Sequence, residues 1–189
     1  MIRFCSLVFA GLFTFATSAT AQEAKIETSL GTITLALDAG HAPATVANFI
    51  RYAREGHFNG TVFYRIVPGF VIQAGSYDAT GNARPTHRPI ALETASGLKN
   101  ERGAVSMAHG DEPASATAEF FIDLADNPDL DAKPDTTGYA VFAHVTGGMD
   151  VVDKIAAVQL GGANGPLPPK ATPATAVTIT KVTIDDPAK

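Results

Sequence analysis

Two short apolar runs, Val62–Val67 and Phe70–Ala74, stand on either side of Pro68-Gly69. Proline fixes its own φ and has no N–H to donate, and glycine accepts a positive φ at little cost, so the pair ends one strand and opens the next. A helix cannot run through this stretch. The same punctuation recurs along the chain: Ala104–Ala108, Glu119–Leu124, Tyr139–Val145 and a stretch within Val177–Ile184 are each bounded by Gly, Pro, Asn or Asp and read as strands. Near the start, Lys25–Thr28 and Thr32–Leu37 flank Ser29-Leu30-Gly31, which reads as a hairpin with glycine at the turn.

Helical spacing occurs twice. After Pro43 the apolar positions Val46, Phe49, Ile50 and Ala53 share one face, and Gly56 follows the end. A second helix is predicted from about Asp150 to Ala157, with Val151, Val152 and Ile155 inward and Asp150 favouring the N-terminus. Eight short strands and two helices predict a mainly β fold, a closed barrel with its ends covered. The segments Ser76–Asn100 and Gln159–Thr175 are rich in Gly and Pro and long for loops, hence either functional or mobile.

The first residues read as an export signal: Arg3 supplies a positive charge, an apolar run extends from Phe4 to Ala16, and small residues end in Ala19-Thr20-Ala21. The expected layout is a signal peptide over 1–21 and one domain over 22–189. The only cysteine, Cys5, would leave with the signal, so stability after export must come from the apolar core and not from disulfides. Of the 14 Lys and Arg, all but Arg3 remain against 19 Asp and Glu, with no basic run, which argues against nucleic acid as a partner.

Within Glu119–Leu124, alternation places Phe120, Ile122 and Leu124 in a core row and turns Glu119, Phe121 and Asp123 the other way. A phenylalanine between two acids on a non-core face is either a binding-surface residue or a residue under a loop. In Val62–Val67, Arg65 stands among apolar neighbours; on pattern alone it reads as a solvated or salt-bridged surface residue. The five histidines show no metal-ligand spacing, and Ser106 and Ser115 lack the setting of a hydrolase nucleophile.

The run Phe63-Tyr64-Arg65-Ile66-Val67-Pro68-Gly69-Phe70-Val71-Ile72-Gln73-Ala74-Gly75 resembles the signature of the cyclophilins. The likeness extends to the opening hairpin and helix, to Gly97–Gly103, Ser106-Met107-Ala108, Glu119–Ile122 and Gly138–Phe142, and is greatest toward the bacterial exported branch. It implies an eight-stranded antiparallel β-barrel closed by two α-helices, and peptidyl-prolyl cis/trans isomerase activity. By position it makes Arg65 the catalytic residue and Phe70, Val71, Phe121 and Leu130 the proline pocket. Gln73, Ala108, His109 and Glu119 would contact the substrate backbone, and Tyr139 stands where many members have histidine. Four positions depart from the commoner pattern: Val71 for methionine, His109 for asparagine, Asp129 for an aromatic residue and Glu119 for glutamine.

The chemistry requires no nucleophile, metal or cofactor. Rotation about X-Pro must cross about 18–20 kcal/mol because the amide loses resonance as it twists. The prolyl nitrogen then regains a lone pair, which a fixed donor such as the Arg65 guanidinium stabilises. Expected partners are unfolded or partly folded exported proteins with X-Pro bonds, met in the periplasm by a monomer. A non-catalytic binder of proline segments with the same fold is the competing expectation; it needs the pocket but not Arg65. If Glu119 reaches Arg65, the carboxylate either competes with the prolyl nitrogen or orients the guanidinium.

Overall fold

A computed structural model describes residues 22–163 and 166–185; the expected signal peptide lies outside them. The chain runs β1 (Gln22–Thr28), β2 (Gly31–Leu37), α1 (Pro43–Arg54), β3 (Arg65–Val67), β4 (Val71–Ala74), β5 (Ala104–Met107), β6 (Phe120–Asp123), β7 (Ala140–Gly147), α2 (Met149–Ala156) and β8 (Ile179–Asp185).

The opening hairpin follows directly from its alternation. In the register Ala24↔Leu35 and Ile26↔Ile33, all four side chains are fully buried. A slip of one residue would turn this row to water and put Lys25 and Thr34 in the core, which fixes the pairing. β1 pairs on its other edge with β8, where Ile26 meets Val182. The whole sheet is antiparallel, in the order β3-β4-β6-β5-β7-β2-β1-β8.

Among the described residues, eight antiparallel strands and two α-helices agree with the expectation, but the closure is partial. β3 and β8 are the two ends of a curled sheet, and the chain just before each strand joins them: Val62 bridges Thr178, Phe63 donates to Val177 O and Ile179 donates to Thr61 O. Residues 61–63 are committed to that seam, which is why β3 begins at Arg65 and not at Val62 as its apolar pattern suggests.

The two helices bury the faces their spacing selects. Val46, Phe49 and Ala53 of α1 lie in the core, and the Phe49 ring meets Phe58, Phe120 and Phe142 at centroid distances of 5.1, 5.7 and 5.2 Å. Such ring pairs contribute about 0.5–1.5 kcal/mol each beyond their buried area. α2 buries Val151, Val152 and Ile155 and runs one residue earlier than its spacing indicated.

The long segment 76–100 is pinned to α1. Ala42 at the N-cap offers no side-chain acceptor, and Glu93 supplies one instead: its carboxylate accepts from the N–H of Ala44 (3.1 Å), the N–H of Thr45 (2.8 Å) and the Thr45 hydroxyl (2.7 Å). A carboxylate at this position also meets the positive end of the helix dipole. Further along, His87 donates its N–H to Tyr52 Oη at 2.8 Å, and Ile90 bridges Ala116. The role of this segment in the fold is therefore to brace the helix.

Candidate active site

Strand register builds the site. Arg65 lies opposite Gln73 across β3 and β4, and Gln73 lies opposite Phe121 across β4 and β6. Directly opposed residues share a face, so an arginine, a glutamine and a phenylalanine far apart in sequence stand in one row. At the β3–β4 turn, Gly69 takes φ +73° and Phe70 donates its N–H to Val67 O. The turn re-aims Phe70 onto the Arg65 side, although strict alternation would set it opposite Val71.

The row opens onto a cavity of about 160 Å³ lined by Arg65, Phe70, Val71, Gln73, Ala108, His109, Phe121, Leu130 and Tyr139. Of the residues expected at the site, Glu119 alone is absent from this lining; it stands behind Gln73. The void suits one small apolar group such as a pyrrolidine ring, being smaller than the roughly 300–1,000 Å³ of drug-sized pockets. Ala108 commits its N–H to Glu119 O at 2.9 Å, so that group is not available to a substrate.

Arg65 is braced on one edge. Its Nη1 donates to Gln73 Oε1 at 3.0 Å, and its Cζ lies 5.9 Å from the centre of the Phe70 ring. Gln73 is in turn held from behind, where Nε2 donates to Tyr64 Oη at 2.6 Å and to Glu119 Oε2 at 3.1 Å. Glu119 thus acts on the guanidinium through Gln73. The direct competition with the prolyl nitrogen that its sequence position allowed does not arise in this geometry.

Burial raises the Glu119 carboxyl above its ordinary range; the donors at Gln73, Tyr64 and Ser76 oppose this without cancelling it. Its Oε1 is enclosed without a hydrogen-bond partner among the described residues. Burial, with the neighbouring Glu119, also pushes the Tyr64 hydroxyl far above its usual value, keeping it neutral.

The opposite rim is aromatic. Tyr139 meets Phe121 edge-on at 5.4 Å and stacks on His109 at 4.5 Å. Both His109 nitrogens face carbonyl oxygens, Nδ1 that of Gly110 at 2.7 Å and Nε2 that of Gly138 at 2.9 Å. A neutral imidazole has one N–H, so the ring serves both carbonyls only when doubly protonated. Gly138 has φ +63°, and a Cβ there would run into the main chain of Asp131 and Ala132. Tyr139 donates its N–H to Leu130 O at 2.9 Å, which joins the two sides of this rim. Asp129 turns away from the cavity, 94% exposed and paired with Lys133.

One expectation needs correction. Asp123, assigned by alternation to an outward face, is fully buried, and Phe121 is only 4% exposed. That face of β6 is covered: Leu124 donates its N–H to Phe70 O, and Asn127 Nδ2 donates to Asp123 Oδ1 (2.7 Å) and to Phe70 O (3.1 Å). Burial raises the Asp123 carboxyl to about 7, against the hydrogen bond from Asn127, and Oδ2 has no partner among the described residues. Asp123 and Asn127 thus support the wall that carries Phe70.

Tyr64, Asp123 and Asn127 are the supporting residues that sequence reasoning missed. Tyr64 precedes the regular strand, so its alternation with Val62 and Ile66 carried no information about where it points. The D-x-x-x-N spacing of Asp123 and Asn127 was the available signal for their pairing.

The chain matches the family model described as cyclophilin type peptidyl-prolyl cis-trans isomerase/CLD over residues 23–184. It is 45% identical over 140 residues to peptidyl-prolyl cis-trans isomerase A of Dickeya dadantii, covering 74% of each chain. It is 40% identical over 158 residues to a peptidyl-prolyl cis-trans isomerase of Acinetobacter baylyi, covering 84% of each. With peptidyl-prolyl cis-trans isomerase B of Escherichia coli it shares 47% over 123 residues, 64% of this chain and 75% of that one. Its fold is that of a crystallised cyclophilin-type isomerase from Cryptosporidium parvum, with TM-score 0.73, 22% identity and coverage of 89% of this chain and 99% of that one. The chain belongs to the cyclophilin-type peptidyl-prolyl cis-trans isomerases, and its activity is isomerisation of X-Pro bonds.

Proposed function

We propose that this isomerase acts on exported polypeptides as they fold, and that Arg65 catalyses rotation by donating a hydrogen bond to the prolyl nitrogen. The observation that carries this reading is a guanidinium braced on one edge by Gln73 at the rim of a cavity large enough for one small apolar ring. The guanidinium lines the cavity beside the Phe70 ring, where the ring of a bound X-Pro segment would sit. Arginine stays charged at any working pH, so the donor is always ready.

A charge-assisted hydrogen bond made only in the twisted state contributes about 1.5–3 kcal/mol, or roughly one to two powers of ten in rate. The rest comes from holding. Phe70, Val71, Phe121 and Leu130 fix the ring while the preceding carbonyl rotates, and the apolar wall keeps away water that would favour the planar, more polar amide. A cyclophilin-type isomerase of Cryptosporidium parvum with the same fold (TM-score 0.72) has been crystallised in the presence of the dipeptide Ala-Pro, which supports proline-containing peptides as the occupants here. The N-terminal charge, apolar run and small-residue ending support export to the periplasm.

The test is refolding of a protein whose slow phase is limited by prolyl isomerisation, which takes tens of seconds unaided. Wild type should accelerate that phase, with Arg65→Lys well below it and Arg65→Ala lower still. Equal acceleration by Arg65→Ala would overturn the catalytic role, and binding without any acceleration would make the protein a holder of proline segments. Export is tested by the N-terminal sequence of the protein recovered from an envelope fraction. A start at Gln22 supports it, and an intact Met1 in the cytosol contradicts it.

A further inference from the structure

Among the described residues, the Gln73 amide is the hydrogen-bonded link between Arg65 and the buried polar groups behind it, and its orientation decides whether the link works. In the structure Oε1 faces Arg65, while both hydrogens of Nε2 are spoken for by Tyr64 Oη and Glu119 Oε2. Turned over, the amide would set its NH2 against the guanidinium, donor against donor, and its carbonyl against the carboxylate.

An ionised carboxylate only accepts hydrogen bonds, whereas a carboxylic acid or an amide both accepts and donates. The guanidinium, which only donates, and the carboxylate, which only accepts, therefore enforce the same orientation of Gln73 from its two ends, and a protonated or amidated Glu119 leaves only the first of these constraints. Tyr64 adds none, because a hydroxyl takes either role. The backbone that carries Glu119 is closely packed: a Cβ on Gly75 would run into the main chain of Ala118 and Glu119, and His57 Nε2 lies 2.9 Å from Gly75 O.

We propose that Glu119 is a positioning residue whose ionised carboxylate locks the Gln73 amide and through it the Arg65 guanidinium, so that catalysis weakens when Glu119 takes up a proton. The proposal rests on Arg65 being the catalytic donor. Among the described residues, Tyr64 and Arg65 are the ionisable groups beside the array, and the Tyr77 ring lies tilted against Tyr64 at 4.7 Å beyond it. Burial lifts the carboxyl above its usual range, which brings its protonation closer to neutrality than for an exposed glutamate.

The same burial sets a stability cost. A carboxyl whose folded-state affinity for protons exceeds that of the unfolded chain destabilises the fold once ionised, so stability rises as pH falls through its folded value. Glu119→Gln is accordingly expected to be less active and no less stable than wild type. A purely structural role would move both properties in the same direction.

The experiment measures kcat and KM for an Ala-Pro peptide between pH 4.5 and 8 in wild type, Glu119→Gln and Tyr64→Phe, together with hydrogen exchange of the Arg65 Nε–H by NMR. Glu119→Gln should lose about threefold to tenfold in kcat, keep KM within about twofold, lack the acid limb of the wild-type profile and exchange Arg65 Nε–H faster. Tyr64→Phe, which keeps the carboxylate, should retain that limb. Unchanged kcat and exchange in Glu119→Gln, or an acid limb of equal size, would overturn the proposal. Should Glu119→Gln fail to fold, acidification of wild type decides instead: loss of Arg65 protection along the acid limb, relative to the intrinsic exchange rate at each pH, supports the lock, and constant protection refutes it. If wild type isomerises nothing, the catalytic reading falls, while the exchange data still decide whether Glu119 positions Arg65.

Discussion

Arg65 Nη1 and Gln73 Oε1 lie 3.0 Å apart across a β3–β4 pair whose register sets the two residues directly opposite each other. The pair restrains a flexible side chain at the rim of the cavity. Arginine carries about 2 kcal/mol of rotamer entropy, and a second-strand acceptor on one edge of its planar fork restricts that freedom before substrate arrives. Phe121, the next residue in the same row, provides the apolar floor. The guanidinium and part of the cavity lining are therefore positioned by one piece of sheet.

The floor makes a specific demand on Phe121. Its ring meets Tyr139 edge-on and is almost wholly buried. Phe121→Leu keeps an apolar residue but opens a gap, and is expected to lower kcat/KM for an Ala-Pro peptide about tenfold, corresponding to roughly 1–2 kcal/mol of lost ring contact. Phe121→Ala should in addition destabilise the fold by about 3–5 kcal/mol. Steady-state kinetics and thermal unfolding separate the two effects.

Much of the architecture was legible because it is local. The hairpin around Gly31 shows in its alternation, and α1 in the spacing from Val46 to Ala53. What escaped was decided by chain segments distant in sequence. Nothing near Thr45 announces that Glu93 will cap the helix. Asp123 looked outward because alternation assumes that one face of a strand is solvated; here Asn127 and the chain after β6 cover the second face. The relay from Glu119 to Arg65 depends on three strands in register, which no single segment encodes.

Asp123 gives the protein a pH-dependent stability. Its carboxyl is raised from 3.8 to about 7 by burial, so between these values the folded state holds a proton that the unfolded chain releases. Stability therefore falls as pH rises through this window and levels off above about 7, at up to about 1.4 kcal/mol per pH unit. Asp123→Asn removes this contribution. Urea unfolding between pH 4 and 8 should show a smaller decline for the variant than for wild type; parallel curves would mean that another group is responsible.

The brace from Glu93 is a separate test of the fold. Glu93→Ala leaves the first-turn N–H groups of Ala44 and Thr45 without their carboxylate, a loss of about 1–2 kcal/mol. With roughly 2–4 °C per kcal/mol for a domain of this size, Tm should drop by several degrees. Isomerase activity at 25 °C should be unchanged, because none of the cavity lining comes from the 76–100 segment.

The most direct measurement is two-dimensional exchange NMR of an Ala-Pro peptide at equilibrium, which reads the cis/trans rate and peptide binding in one sample. Wild type should raise the exchange rate far above the uncatalysed one. Arg65→Ala should lower the catalysed rate about 10-fold to 100-fold, the worth of one charge-assisted hydrogen bond in the twisted state, while peptide affinity changes by no more than about threefold. Catalysed exchange that persists at the wild-type rate in Arg65→Ala would contradict the assignment of Arg65 as the donor that drives rotation.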